Sequence, residues 1–261
     1  MMAVRNHPHP GTQALARAVR LLKTFSDVQP AWRLSDLARA ARLHKATAHR
    51  LLAALEREGM VARGAGGELY RLGPEAIALG ARAARANDLR AVSRAELEAL
   101  ASATGETATL EVPVGGGMLI LDEVPGRALI GATASLGTRW PAHATSTGKA
   151  VLATLAEAKR KVALGGRLAR CTPRTIVSPV ALARELAAVR RRGYATAFEE
   201  LETGYVAVGA AVLDQHGYAV AAVSVGGPTA RFTASRVTKL GTQVRASAAR
   251  ITAALGFRAA R

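Results

Sequence analysis

Apolar residues recur at helical spacing through the first part of the chain. Leu15, Ala18, Val19 and Leu22 stand at i, i+3, i+4 and i+7, and Phe25 prolongs the stripe, so the spacing predicts a helix with one buried face. After a segment broken by Pro30, a short helix is predicted from Leu34 or Ser35 to about Ala40. A tight turn at Ala41 to Leu43 leads into a third helix, His44 to Glu58, where Ala48, Leu51, Leu52 and Leu55 repeat the inward spacing. Ala46, Arg50, Ala53 and Arg57 consequently point outward. Gly59 suits a helix C-cap, and Met60 to Arg63 reads as a strand. Gly64, Gly66 and Gly67 offer positive-φ turn positions before a return strand, Glu68 to Leu72. Three helices followed by a hairpin are the pattern of a winged helix-turn-helix.

Pro74 to Asn87 and Leu89 to Thr104 read as two further helices, with no Gly/Ser-rich tether between them. Beyond Gly105 the texture changes. Thr107 to Val114 and Met118 to Val124 are strand-like, and helices are predicted at Ser146 to Ala156 and Pro179 to Arg192. Strands at Tyr194 to Phe198, Val206 to Leu213 and Ala219 to Val225 precede a final helix at about Ala234 to Leu255. This order predicts an α+β fold built around an antiparallel sheet. The expected division is an arm at 1–11, a winged helix-turn-helix at 12–73, a linker helix at 74–88, a larger domain at 89–256 and a tail at 257–261.

Composition narrows the function. With 49% apolar and 21% charged residues, the 261-residue chain is globular and long enough for two domains. Wholly nonpolar stretches such as Val206 to Leu213 are far short of the ~20 residues that span a bilayer. The first residues lack the apolar core of a secretory signal and carry His7-Pro8 and His9-Pro10, so the expectation is a cytoplasmic chain with a loose arm and no membrane partner. Cys171 is the only cysteine, expected to be a small semi-buried side chain, which excludes an intrachain disulfide. The formal charge of +17 predicts attraction to polyanions. Twelve Lys and Arg stand against five Asp and Glu in residues 1–72, so positive charge is densest there, although the remainder is basic as well.

Helix-turn-helix units insert the start of their second helix into the major groove. Lys45, Thr47, His49 and Arg50 occupy those turns here, and Arg63 and Arg71 flank the hairpin. Arg50 is the candidate for base readout, since its planar fork pairs bidentately with guanine N7 and O6; Lys45 suits a phosphate. In the second domain, Thr145 or Ser146 can cap the following helix, whose unpaired amides and positive dipole end would suit a carboxylate. Catalytic readings are poorer. Thr147-Gly148-Lys149-Ala150 lacks the glycine and hydroxyl residue of a P-loop, no GxSxG elbow exists, and His7 and His9 have no companion metal ligands. Glu199 and Glu200 are adjacent, as solvated surface carboxylates usually are, which disfavours a glycosidase pair. No catalytic residue, metal site or cofactor is expected.

The segment from Leu34 through Ala38, Leu43, Lys45, Thr47, His49, Arg50, Leu51 and Leu52 to Gly59, followed by Tyr70-Arg71-Leu72-Gly73-Pro74, resembles the DNA-binding domain of the isocitrate lyase regulator (IclR) family. Gly105-Glu106-Thr107, the stretch from His143 to Ala150, Thr172 with Arg174-Thr175-Ile176, Arg191 with Gly193-Tyr194-Ala195, Glu199-Glu200, and Ser224 with Gly227-Pro228 and Arg231 recur in the family's order. The resemblance covers about residues 12 to 256. It implies a transcriptional regulator that binds an inverted-repeat operator as a homodimer, often pairing into a dimer of dimers. It also implies a GAF-like domain sensing a small organic acid or an aromatic catabolite. On this resemblance Ser146 and Thr147, beside Thr145, match effector-loop positions, and Ala197, Ala207, Ser224 and Gly226 match other pocket positions. Some acid-sensing members carry an acidic residue, a cysteine and a second serine where this chain has Ala197, Ala207 and Gly226, which implies a roomier, less polar pocket. Arg42 replaces a usual turn glycine and His44 a usual proline; a positive φ at Arg42 would cost about 1 kcal/mol. Two other readings are weighed against this one, a small-molecule enzyme with an accessory basic domain and a nonspecific architectural DNA-binding protein.

Overall fold

The computed structural model describes residues 12–26, 28–64, 66–127, 136–166 and 168–256. The expected arm, with His7 and His9, and the expected tail lie outside the described residues. The chain forms two compact units, Met1–Ala86 and Asn87–Arg261.

In the first unit α1 (Gln13–Leu22), α2 (Leu34–Ala40) and α3 (Lys45–Arg57) pack around Leu21, Leu37, Ala38, Ala48 and Leu52, with Val61 and Tyr70 from the sheet. That sheet holds β1 (Ala31–Arg33), β2 (Val61–Arg63) and β3 (Leu69–Leu72), antiparallel in the order β1-β3-β2, and α4 (Pro74–Arg85) follows. Strand β1 has no counterpart in the sequence expectation, because three residues after a proline are too few to show alternation. The inward face of α1 also differs from expectation. Leu21 is fully buried and Leu22 and Phe25 pack beside it, whereas Leu15 and Val19 remain 67% and 37% exposed. The apolar stripe is wider than the core can cover, and packing selects the side centred on Leu21. In the wing, Gly66 and Gly67 take positive φ (103° and 75°), but Gly64 does not; its amide donates to the Leu69 carbonyl at 2.8 Å. Arg42 does adopt a left-handed conformation, with φ 54°.

The second unit contains α5 (Asp88–Thr104), α6 (Ser146–Thr154), α7 (Glu157–Leu164), α8 (Pro179–Arg192) and α9 (Ala234–Ala254). Its sheet is formed by β4 (Thr107–Val114), β5 (Gly117–Val124), β6 (Arg139–Pro141), β7 (Ala195–Phe198), β8 (Tyr205–Leu213) and β9 (Ala219–Pro228). The strands run antiparallel in the order β6-β5-β4-β9-β8-β7. Strand alternation divides the side chains between two layers. Leu110, Val208, Val223 and Val225 meet α5 and α9, while Ala195 and Ala222 on the opposite face meet α6 and α8. The cross-strand partners Thr109, Ser224 and Gly209 share that second face, as do Gly226, Ala207 and Ala197 one pair further along. Two elements were not predicted, β6 and α7. The latter buries no residue, so its sequence carries no core-facing period.

The left-handed Arg42 has an exposed side chain, so a glycine there would remove backbone strain at little packing cost. Arg42→Gly is expected to stabilise the first unit by roughly 0.5–1 kcal/mol, after allowing for glycine's greater unfolded-state entropy. Chemical denaturation followed through Trp32 fluorescence would show this as a higher midpoint; a lower midpoint would contradict it.

Candidate functional site

The first candidate surface is built on α3. Lys45, His49 and Arg50 are exposed and Thr47 is half-buried. Among the described residues, neither Lys45 nor Arg50 makes an ion pair or side-chain hydrogen bond, so both cations are free. Thr47 faces a cleft between α1 and the start of α3, lined also by Arg17, Arg20, Arg42 and His44. The three arginines were missed by the sequence reading because only the packing of α1 on α3 brings them together. Arg63 differs from the other wing residue. Its Nε donates to Glu56 on α3 at 3.2 Å and its guanidinium stacks on Tyr70 at 5.1 Å, so it fastens the wing to the helix. Arg71 lies on the central strand, exposed on the face opposite Tyr70.

The second site is a cavity of about 50 Å³ beneath the start of α6. Thr145, Ser146, Thr147, Ala197, Ala207 and Ser224 all line it, so the structure brings six of the seven expected positions together. Gly226 does not line it. A Cβ there would lie 2.0 Å from the Tyr205 hydroxyl, so the glycine makes room for a phenol that itself lines the cavity. Gly209 has a related task, because a Cβ would come within 3.0 Å of Ser146 Oγ and the Thr147 amide. Thr145, rather than Ser146, caps α6, its Oγ1 accepting from the Gly148 amide at 3.0 Å. Among the described residues no acceptor meets the Ser146 or Thr147 amide.

Glu111, which the sequence reading did not place here, projects from β4 on the same face as Thr109 and is buried at the cavity wall. Thr147 Oγ1 donates to its Oε2 at 2.7 Å and Thr109 Oγ1 to its Oε1 at 3.2 Å. Thr109 Oγ1 is also 2.7 Å from Ser224 Oγ. Burial pushes the Glu111 carboxyl up to about 7, against the partial relief given by the two threonine hydroxyls. Burial, with Glu111 foremost among nearby carboxylates, likewise raises Tyr205 and keeps its phenol protonated. Ile120, Trp140, Ala144, Leu201 and Glu202 complete the wall; no Lys, Arg or His lines it among the described residues. The pocket is small, and its largely apolar wall carries one buried carboxylate.

Two further expectations are corrected. Glu200 is not a solvated carboxylate: it is buried and ion-paired to Lys149, itself 1% exposed. Glu199 accepts from the Gly204 amide at 2.8 Å and pairs with Arg174 at 3.0 Å. Cys171 is exposed rather than semi-buried, and partial desolvation raises its thiol pKa, so nothing activates it.

The Glu111 environment has a consequence for stability. Between its ordinary value of 4.5 and about 7 the folded chain holds a proton that the unfolded chain has released, so stability falls as pH rises through that window. Glu111→Gln removes this ionisation. Relative to the variant, wild-type protein is expected to lose on the order of 3 kcal/mol between pH 5 and 8. Denaturant titrations across that range would show parallel profiles if the carboxyl were not so perturbed.

Comparison with known proteins identifies the architecture. The IclR helix-turn-helix domain matches residues 14–65, and the C-terminal domain of the bacterial transcriptional regulator IclR matches residues 81–253. The transcriptional repressor IclR of Escherichia coli K12 is 34% identical over 260 residues, covering 97% of this chain and 94% of that protein. Among solved structures, an IclR transcriptional regulator from Alicyclobacillus acidocaldarius is 30% identical with a TM-score of 0.83, covering 93% of this chain and 98% of its own. An IclR homologue from Microbacterium hydrocarbonoxydans complexed with 4-hydroxybenzoate is 30% identical with a TM-score of 0.78, covering 94% and 99%. With a winged helix-turn-helix followed by a sheet domain, and both matched in order along one chain, the protein belongs to the IclR family of bacterial transcriptional regulators.

Proposed function

We propose that the chain binds an inverted-repeat operator as a homodimer through α3 and the wing, and that a small organic effector held beneath α6 changes its operator affinity. The observation that carries the DNA-binding half is the free, exposed pair Lys45 and Arg50 beside the arginine-lined cleft at the start of α3. Arg50 reads a base and His49 lies beside it. Lys45, Thr47, Arg17, Arg20 and Arg42 hold phosphates, Arg71 contacts the backbone from the wing, and Arg63 acts by holding the wing in place. In domain terms, 12–73 reads DNA, 74–88 links and 89–256 binds the effector, with Thr145, Ser146, Thr147, Ala197, Ala207 and Ser224 around the ligand and Gly226 supporting Tyr205.

Exposed Leu15 and Val19 on α1 and Ile77 and Leu79 on α4 offer apolar surface for a second copy, which supports the dimer; pairing of dimers extends the same reading. The 4-hydroxybenzoate complex of the Microbacterium homologue supports a small organic ligand for this chain. The function is read as binding rather than catalysis because the relatives the chain matches are named transcriptional regulators. A regulator of this kind works on the chromosome, which supports a cytoplasmic location. No helix among the described residues is long and apolar enough to cross a membrane.

Operator affinity should fall steeply as salt rises, and footprints should cover two symmetric half-sites. Arg50→Ala is expected to cost about 1–3 kcal/mol and to relax preference at one base pair per half-site, whereas Lys45→Ala should weaken all sequences alike. Fluorescence anisotropy on operator and scrambled duplexes separates the two. Equal losses on both duplexes for Arg50→Ala would remove its base-reading role, and equal wild-type affinity for both would favour an architectural protein.

A further inference from the structure

We propose that Glu111 makes the pocket selective for a small bifunctional effector, one that presents a hydrogen-bond donor, hydroxyl or ammonium, to this carboxylate and an oxygen acceptor to the first amides of α6. The inference rests on reading the cavity as the effector site.

Two threonine hydroxyls of the pocket wall direct their protons at Glu111. Thr147 spends its only hydroxyl proton on Glu111 Oε2, and Thr109 spends its own on Oε1. Since Thr109 donates to Glu111, it must accept from Ser224, whose proton is then also committed. Of the hydroxyls the resemblance assigns to the pocket, Thr147 is therefore committed to Glu111 directly and Ser224 through Thr109. A carboxylate has about four acceptor positions, and these bonds fill two. The remaining lone pairs are buried at the cavity wall and call for a donor.

The groups facing Glu111 leave that demand unmet. Ile120 of β5 and Ala222 of β9 flank it across the sheet. Tyr205 of β8 and Glu202 at the rim are the other ionisable lining residues, and Lys149 of α6 is already paired with Glu200. No cation among the described lining residues offsets the carboxylate, so a ligand carrying only a carboxylate would meet it unaided. At the other end, the open Ser146 and Thr147 amides supply donors for one oxygen group. The cavity as it stands is about 50 Å³, smaller than the ~150 Å³ cavity that accommodates benzene, so a ligand with a short carbon skeleton is the apt first probe. The raised pKa of Glu111 agrees with a buried carboxylate short of donors.

Isothermal titration of the full-length protein at about pH 8, where Glu111 is largely ionised, with acetate, glycolate and glycine tests this directly. The three share a carboxylate on a two-carbon frame and differ in the donor. Wild-type protein is expected to bind glycolate or glycine at least tenfold more tightly than acetate, and Glu111→Ala to bring the three within about twofold. Glu111→Gln, which keeps an acceptor and the volume, should retain preference for glycolate but lose preference for glycine, so one variant still decides if the other fails to fold. Acetate binding as tightly as both partners, binding of none of the three at millimolar concentration, or a preference that survives Glu111→Ala would overturn the proposal. The regulatory reading fails separately, if Glu111-dependent binding is present but operator affinity does not respond.

Discussion

The buried ion pair between Lys149 and Glu200 is the contact on which the second unit's pocket depends. Lys149 lies in a helix whose residues from Ser146 to Ala153 are all buried, and Glu200 lies in the connection between β7 and β8. Neither charge has water to turn to, so removing one partner would leave the other uncompensated, a loss of about 3–5 kcal/mol in comparable sites. Burial raises the Glu200 carboxyl, and the ammonium of Lys149 works against that rise. The same connection is held from a third direction, with the Thr175 hydroxyl donating to the Glu200 carbonyl at 2.6 Å and Thr172 to the Glu199 carbonyl at 2.6 Å. Helix α6, the 172–175 turn and the 199–204 connection are therefore one assembly. Leu201, Glu202 and Tyr205 line the cavity because that connection is fixed, and Ser146 and Thr147 line it because the start of α6 is.

Around this fastening the sheet decides chemistry by alternation. Residues one apart on β4 go to opposite layers, so Leu110 enters the core with α5 and α9 while Thr109 and Glu111 meet α6. The close approach of α6 to β8 at Gly209, and of Tyr205 to Gly226, sets how much space is left. In the space that remains, Thr109 and Thr147 already donate to a carboxylate, the basis of the proposed selection of ligands by the donors they bring. In the first unit the corresponding constraint is the packing of α1 on α3, which gathers Arg17, Arg20 and Arg42 beside the groove-facing turns.

Periodicity made the long elements legible: α8 runs Pro179–Arg192 as its spacing and flanking Ser178 and Gly193 imply, and α3 and the wing follow similarly. The resemblance supplied most pocket positions, because the loop before α6 and the facing strands have recognisable sequence. Glu111 was not legible as a pocket residue. The alternation Thr107, Thr109, Glu111 placed the three on one face, but nothing local said which face would meet α6. Glu200 was misjudged for a related reason: adjacency to Glu199 suggests solvent, whereas its partner lies 51 positions away. Short or unburied elements such as β1, β6 and α7 carry too few core-facing residues for a period to appear.

Thermodynamic linkage between the two sites tests the regulatory mechanism most directly. Operator affinity would be measured with and without saturating ligand, and ligand affinity on free and on operator-bound protein. If the cavity governs DNA binding, the two ratios are equal and differ clearly from one, because coupling between bound ligands is reciprocal. Ratios of one, with both sites demonstrably filled, would contradict an effector-controlled regulator.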